Sequence, residues 1–257
     1  MLRIKEYVKA ASLEEAYELN QKRSNRVLGG MIWMRMSDAQ VQKAIDLSGL
    51  GLDTIEETDT EFIIGAMVTL RELELHSALN AYFENAIRDA VQDIVGVQFR
   101  NLATVGGSVF GRFGFSDVLT VLLSLHTSVE LYKGGIVPLE EFVQMKRDND
   151  ILVNVRIAKT PGHFAYLTHR NTKTDFPVLA VSASKIGEEI RVAVGARPMK
   201  AELLGAGDLS EESAKKLAAQ VKTDSNMRAS AKFRSHLAEV LITRCFDKIK
   251  DVEKEEK

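Results

Sequence analysis

The sequence of 257 residues has a single cysteine, Cys245, and five histidines. A lone cysteine excludes an intramolecular disulfide, and it excludes any iron–sulfur cluster or zinc site built from this chain's own thiolates. None of the histidines has the spacing of metal ligands, so we expect no metal site. Because the chain cannot form a disulfide with itself, we expect it in the reducing cytoplasm.

Charge of one sign is not in excess, since 34 Lys and Arg residues stand against 36 Asp and Glu residues. This balance creates no global attraction to nucleic acid or to an anionic membrane. The longest apolar stretches, such as residues 118–125, are much shorter than the ~20 residues of a membrane-spanning helix. Charged residues also interrupt residues 1–20 in every turn, which argues against a standard secretion signal. We therefore expect no nucleic-acid partner and no membrane span.

The composition is otherwise that of a globular protein, with 45% hydrophobic and 27% charged residues. Two capping boxes, Ser12 with Glu15 and Thr69 with Glu72, predict the starts of two short helices. Hydrophobic patterning predicts further elements along the chain. These are strands at 26–28, 44–47, 61–68 and 151–157, an amphipathic helix at 87–94, and an almost fully buried helix at 118–125.

The segment Lys159-Thr160-Pro161-Gly162 is the best linker candidate, so we predict a domain boundary there. An antiparallel meander with a turn at Gly187 and two final helices are expected beyond it. The predicted fold class is α+β. Its domains are 1–158, with subdomains at about 1–57 and 58–158, then a smaller α+β domain at 163–250, and a tail at 251–257 that is too charged to pack.

Two glycine pairs follow predicted secondary structure, one at Leu28-Gly29-Gly30-Met31 and one within residues 104–108 (TVGGS). Glycine lacks Cβ, so successive backbone N–H groups can converge on an anionic oxygen, and two such nests could share one pyrophosphate. The alternative is that each pair is only a tight turn. Neither segment matches G-x-G-x-x-G or the P-loop, so the standard nucleotide fingerprints are absent.

Six ordered segments resemble the FAD-binding, or medium, subunit of the molybdenum hydroxylases, the group that includes xanthine dehydrogenase and carbon monoxide dehydrogenase. The most specific is residues 98–108 (QFRNLATVGGS), which closely match the family signature Q-I-R-N-x-A-T-x-G-G-N. Residues 28–32 (LGGMI) correspond to a first phosphate loop that reads approximately A-G-G-T-D in the family. The others are residues 64–70 (IGAMVTL), Ser116-Asp117 followed later by Ile151-Leu152, and a C-terminal pattern at Asp224 and 228–234.

The resemblance implies a two-subdomain FAD-binding fold, of the kind called PCMH-like, followed by the small C-terminal domain. FAD would be held non-covalently by the two glycine segments, by the carboxylate after the second segment and by one strand residue. No catalytic side chain is implied. The cofactor-binding residues implied are Val27, Leu28, Gly29, Gly30, Met31, Ile32, Thr104, Val105, Gly106, Gly107, Ser108, Asp117 and Leu152.

The resemblance also implies partners. An iron–sulfur small subunit with [2Fe–2S] clusters and a molybdopterin large subunit would complete a heterotrimer, with NAD+ or another acceptor taking the electrons. Two alternatives remain open from the residues, a flavin-free assembly subunit of the same complex and a stand-alone flavin oxidase.

The chain departs from the family pattern at several positions. Met31 and Ile32 replace a Thr-Asp pair, which removes two side chains that could bond the cofactor. Phe113 and Phe115 could stack on a flavin or adenine ring, or they could pack in the core. Asp117 could bind flavin hydroxyls or could simply stabilise a helix N-terminus. For the basic residue expected near the flavin edge the sequence offers only Arg170, with Lys173 as a shifted alternative.

Overall fold

The computed structural model describes residues 1–255, which form two compact units. The first unit comprises Met1–Glu72, Val97–Gly111 and Thr127–Ile157. The second comprises Leu73–Gly96, Arg112–His126 and the chain from Ala158 onward. The division after residue 157 lies close to the predicted linker, while two earlier segments also belong to the second unit. The predicted domain boundaries stay a prediction.

The described chain contains runs of strands and runs of helices, and alternates regularly only over residues 3–46. The strands are β1 Arg3–Lys9, β2 Arg26–Leu28, β3 Gln40–Asp46, β4 Ile55–Glu57, β5 Glu61–Gly65, β6 Thr127–Leu131, β7 Gly135–Pro138, β8 Leu152–Ala158, β9 His163–Arg170, β10 Pro177–Ile186, β11 Glu189–Gly195 and β12 Glu202–Ala206. The helices are α1 Leu13–Asn20, α2 Ile32–Arg35, α3 Leu70–Leu75, α4 Ser77–Tyr82, α5 Ala86–Val91, α6 Val97–Arg100, α7 Val105–Phe110, α8 Asp117–Ser124, α9 Leu139–Phe142, α10 Glu211–Gln220 and α11 Ala231–Glu255.

The first unit contains two sheets. A parallel sheet has the strand order β1-β3-β2, and the register pairs Leu28 with Asp46. A second sheet has the order β4-β5-β8-β6-β7. A shared apolar cluster that includes Ala16, Ile45 and Val153 packs residues from both sheets together. Since β2 is a parallel strand, the glycine pair that follows it lies at its carboxyl end, where ligands commonly bind in parallel sheets.

Both capping boxes are confirmed. The Glu15 amide donates to Ser12 Oγ over 3.1 Å at the start of α1, and the Glu72 amide donates to Thr69 Oγ1 over 3.1 Å at the start of α3. The strand predicted over 61–68 is too long, because β5 ends at Gly65 and a turn precedes the second box.

The second unit is a four-stranded antiparallel sheet of order β12-β11-β10-β9, packed against α10 and α11 around one core cluster. The meander and its turn at Gly187 are confirmed, with φ +58° at this glycine. All eight residues of α8 are buried, as predicted. β12 was not predicted.

The predicted unpacked tail is wrong over its described part. α11 continues to Glu255, and Glu253 pairs with Lys185 of β10. The charged residues of 251–255 fit a helix because they lie mostly on its solvent side, and residues 256–257 of the predicted tail lie outside the described part. Within residues 1–255, no helix has the length and apolarity needed to cross a bilayer.

Arg234 of α11 connects the residues of the C-terminal motif through hydrogen bonds. Its side chain is 1% exposed and donates to the carbonyl oxygens of Val178, Asp224 and Ala229 over 2.7–2.8 Å. A fourth bond of 2.6 Å reaches Asn226 Oδ1. The arginine of this motif thus holds a loop onto β10.

We predict that Arg234→Met lowers the free energy of unfolding by about 3 kcal/mol or more, because buried acceptors lose charged donors. Urea unfolding followed by circular dichroism measures this. Arg244→Met, an exposed position on the same helix, is the control and should change stability by less than about 0.5 kcal/mol. Equal effects of the two substitutions would contradict the assignment.

Candidate functional site

The first glycine turn joins β2 to α2. Val27 and Leu28 place their side chains in two apolar clusters of the first unit, which fixes the end of β2. A Cβ on Gly30 would lie 1.8 Å from the carbonyl oxygen of Leu102, so only glycine lets these two backbone segments pass. The turn is thereby pinned against the segment that leads into the second glycine pair.

The reversal of this turn occurs at Met31 rather than at a glycine. Met31 has φ +59° and ψ +4°, the left-handed helical region, whereas neither Gly29 nor Gly30 has a positive φ. For a residue with a Cβ this conformation costs about 1–2 kcal/mol. α2 then begins at Ile32 without a side-chain cap.

The second glycine pair lies in a helix, so the interpretation of residues 104–108 as a turn is wrong. Thr104 caps α7, and the hydroxyl accepts from the Gly107 amide over 3.1 Å. The Val105 amide donates to Val68 O and the Gly106 amide to Ala66 O, over 2.9 and 2.8 Å. Ser108 bonds the Thr104 carbonyl with its amide and its hydroxyl, over 3.1 and 3.0 Å.

Gly106 is required by packing. A Cβ at this position would lie 2.6 Å from the Ala66 carbonyl oxygen, in the turn that follows β5. A larger residue would therefore disturb the fold of the first unit as well as any ligand.

The two glycine pairs meet at one hydroxyl. A Cβ on Gly29 would lie 2.8 Å from Thr104 Oγ1, and a Cβ on Gly107 would lie 3.1 Å from the same atom. Thr104 itself is 6% exposed. The structure thus brings together the residues predicted from the two segments, Val27 to Ile32 and Thr104 to Ser108.

The free donors of this site belong to the first turn. Across the part of the chain that the structure describes, the amides of Gly29, Gly30, Met31 and Ile32 donate to no protein acceptor. No acidic residue occurs in residues 26–35 or 100–111, whereas Arg26, Arg35 and Arg100 do. Unpaired amides in a turn without carboxylates suit an anionic oxygen.

Leu152 begins β8 and is buried. The carbonyl of the next residue, Val153, accepts from the Ala66 amide over 2.9 Å, and Ala66 O accepts from Gly106. Leu152 is therefore connected to the second glycine pair through two backbone bonds. Its contact with a flavin ring stays a prediction.

Asp117 lies in the second unit, where it begins α8 behind its cap residue Ser116. It is 5% exposed, and its Oδ1 accepts from Arg170 Nη2 over 2.7 Å and from the hydroxyl of Tyr166. Burial raises the pKa of the Asp117 carboxyl, against the opposing effects of Arg170 and Tyr166. Burial also raises the pKa of Tyr166 well above its usual value, so the phenol remains a donor.

Tyr166 was not singled out from the sequence as a partner of Asp117. Tyr166 and Arg170 are four residues apart on β9 and so point to one face of the strand, which is a usable signal. Arg170 also donates to Asp175 O over 2.5 Å, whereas Lys173 is 82% exposed at its side chain. The structure thus commits Arg170 to internal acceptors, and its contact with a flavin edge stays untested.

The aromatic residues of the second unit pack on each other. Phe113 and Phe115 stack with ring centroids 5.3 Å apart and planes 10° apart. Phe115 meets Phe176 edge to face, with centroids 4.7 Å apart. These contacts favour the packing interpretation of both rings.

A family model described as the FAD binding domain in molybdopterin dehydrogenase matches residues 2–159, which include both glycine segments and Leu152. The chain belongs to this family. The resemblance to this family that the sequence segments indicated is thereby confirmed, and so is FAD as the cofactor that the family's domain binds.

One relative of this chain has no assigned function. The uncharacterized protein YgfM of Escherichia coli (strain K12) is 26% identical over 162 residues, 62% of this chain and 60% of YgfM. The match thus spans less than two thirds of that relative's length.

Solved structures show the fold. Carbon monoxide dehydrogenase from Hydrogenophaga pseudoflava, in a form that lacks the Mo-pyranopterin moiety, contains a chain that superposes with a TM-score of 0.85 at 20% identity, covering 98% of this chain and 99% of that one. Quinoline 2-oxidoreductase from Pseudomonas putida 86 contains one with a TM-score of 0.82 at 18% identity, covering 96% of each. The predicted α+β FAD-binding fold is confirmed.

The residues of the first unit fit the diphosphate of FAD. In the described part of the chain, four amides without protein acceptors and a buried hydroxyl between two glycine pairs are donors, and donors are what a diphosphate requires. Among the described residues, no group of three His, Cys, Asp or Glu side chains could hold a metal ion. Cys245 is buried, and burial raises the pKa of its thiol to about 12, so it is unreactive.

We predict that Asp117→Asn lowers the free energy of unfolding by about 3–5 kcal/mol, because it leaves the Arg170 guanidinium buried without its counter-charge. Denaturant unfolding at pH 7 measures the change. The double variant Asp117→Asn/Arg170→Met should recover part of the loss, since it removes the unpaired charge. A loss below about 0.5 kcal/mol in the single variant would show that the pair contributes nothing.

Proposed function

We propose that this chain is the FAD-carrying electron-transfer subunit of a molybdenum hydroxylase. In this proposal a molybdopterin subunit supplies electrons to [2Fe–2S] clusters on an iron–sulfur subunit. The chain receives the electrons from these clusters and passes them to NAD+ or another acceptor. The xanthine dehydrogenase type, the heterotrimer and the cytoplasmic location are parts of the same proposal. The observation that carries it is the row of unpaired amides from Gly29 to Ile32 beside the Thr104 hydroxyl, inside a match to an FAD-binding family.

When bound, FAD supplies the chemistry that lets two-electron and one-electron carriers exchange electrons. The protein's part is binding and orientation. In the proposed site the amides of the first turn and the Thr104 hydroxyl bind the diphosphate, while Gly29 and Gly107 keep side chains out of its way. Leu152, buried at the start of β8, would form an apolar surface that excludes water.

The number of cysteines supports the assignment of the iron–sulfur clusters to another subunit. The sequence has one cysteine, whereas each [2Fe–2S] cluster needs four ligands, mostly thiolates. Electrons would therefore have to enter and leave through other proteins. No side-chain acid or base is required of this chain, and none is proposed.

We predict that the purified chain binds FAD, which shows as flavin absorbance that remains with the protein through gel filtration. On binding, the amides of residues 29–32 should gain protection from hydrogen exchange, because they acquire acceptors. Gly29→Ala should weaken binding at least tenfold, since its Cβ lies 2.8 Å from Thr104 Oγ1.

Gly49→Ala is the matched control for Gly29→Ala. A Cβ at Gly49 would meet only the flexible end of Lys9, so affinity should stay within twofold of the wild type. A wild-type chain that takes up no FAD would remove the proposed function and favour the flavin-free assembly subunit. Oxidation of a small substrate by the isolated chain would favour the stand-alone oxidase.

We further predict that reduction of the bound flavin by a hydroxylase substrate requires all three subunits. To test this prediction, the chain is mixed with separately purified iron–sulfur and molybdenum subunits and a substrate is added. Reduction of the flavin is then measured as the loss of its visible absorbance band. Assays with purines and with aldehydes examine the xanthine dehydrogenase type. Mixtures that lack one subunit are the controls, and bleaching in any of them would contradict the electron route.

A further inference from the structure

Met31 is the residue at which the first glycine turn reverses direction. Its φ of +59° is unusual for a residue with a Cβ, and the glycines that precede it do not share it. A glycine pair followed by methionine would be expected to place the left-handed conformation on a glycine, where no Cβ opposes it. Something other than backbone preference therefore holds the turn in this form.

The Met31 side chain supplies that restraint. It is half-buried and packs against the cluster of Leu28, Val41 and Ala44, whose other members include Met34. The Met31 carbonyl accepts from the Arg35 amide over 2.8 Å, which closes the turn of α2. On its other side, Gly30 is held against the carbonyl of Leu102. The reversal is thus fixed by packing at Met31 and by backbone contact at Gly30.

Met31 differs from Thr104 in that it does not cap the helix that follows it. A thioether is a weak acceptor, so Met31 takes no amide of α2 as a cap. At the second glycine pair the Thr104 hydroxyl does take one, the amide of Gly107. A cap accepts from an amide two or three residues further on, so the side chain of Met31 acts on the amides of Gly29 to Ile32 only through the path of the backbone that it fixes by packing.

We propose that Met31 is a positioning residue for the diphosphate of FAD, and this inference rests on the proposed function. Its half-buried side chain holds the left-handed reversal, and the reversal keeps four amides directed away from internal acceptors.

Three variants separate the anchor from the backbone conformation. Met31→Ala keeps the Cβ and loses the anchor, Met31→Gly loses both, and Met31→Leu keeps both. We expect the dissociation constant for FAD to rise about tenfold in the alanine and glycine variants and to stay within twofold in the leucine variant. Trp33, the only tryptophan of the chain and 42% exposed, reports binding through quenching of its fluorescence by the flavin.

Hydrogen exchange provides a second readout that needs no cofactor. The Arg35 amide is bonded to Met31 O, so it should exchange at least tenfold faster in the alanine and glycine variants and at the wild-type rate in the leucine variant. Amides in the core of the same unit, such as that of Ile45 in β3, should be unchanged. A general loss of stability would accelerate both.

The outcomes distinguish this inference from the proposed function. If either the alanine or the glycine variant binds FAD within twofold of the wild type, the anchor is not needed and the inference is overturned. If the wild type binds no FAD, the proposed function and a positioning role toward FAD both fail, and Arg35 exchange then decides only whether Met31 anchors the turn. Wild-type binding with unchanged Arg35 exchange in the alanine variant also overturns the inference.

Discussion

Contact between backbone segments at positions without a Cβ organises the first unit around its candidate site. Gly30 lies against the Leu102 carbonyl and Gly106 against the Ala66 carbonyl, so three chain segments distant in sequence come within van der Waals distance. Any side chain at these glycines would separate the segments. Thr104 then occupies the place where two of them meet: its hydroxyl accepts from the Gly107 amide and lies where a Cβ on Gly29 would point.

The two glycine pairs have different roles despite their similar sequences. Near the second pair, every amide from Val105 to Ser108 has an acceptor inside the unit, so that pair builds a rigid helix start. At the first pair the amides from Gly29 to Ile32 have no acceptor among residues 1–255. Free amides that follow one another along a turn can bind an anionic oxygen, and for this reason the first turn and not the second is the proposed site of the diphosphate.

Local signals in the sequence were sufficient for the capping boxes, the buried helix α8 and the meander of β9 to β11. They failed for β1, an edge strand of a parallel sheet in which six of the seven residues are exposed and four are charged. They also failed for the second glycine pair. A Gly-Gly sequence is typical of a turn, whereas here both glycines lie in the first turn of α7, which Thr104 caps. The pairing of Asp117 with Tyr166 and Arg170 spans about 50 residues, as the separations of 49 and 53 show, and no local pattern specifies it.

The distribution of donors also explains how the fold persists at low identity. A site that binds through backbone amides needs the path of the chain and tolerates changes in the side chains along it. Glycines at the close contacts and the packing of Met31 after Gly30 fix the path of the chain at this turn. A chain with 20% identity to a solved neighbour can therefore superpose on it with a TM-score of 0.85.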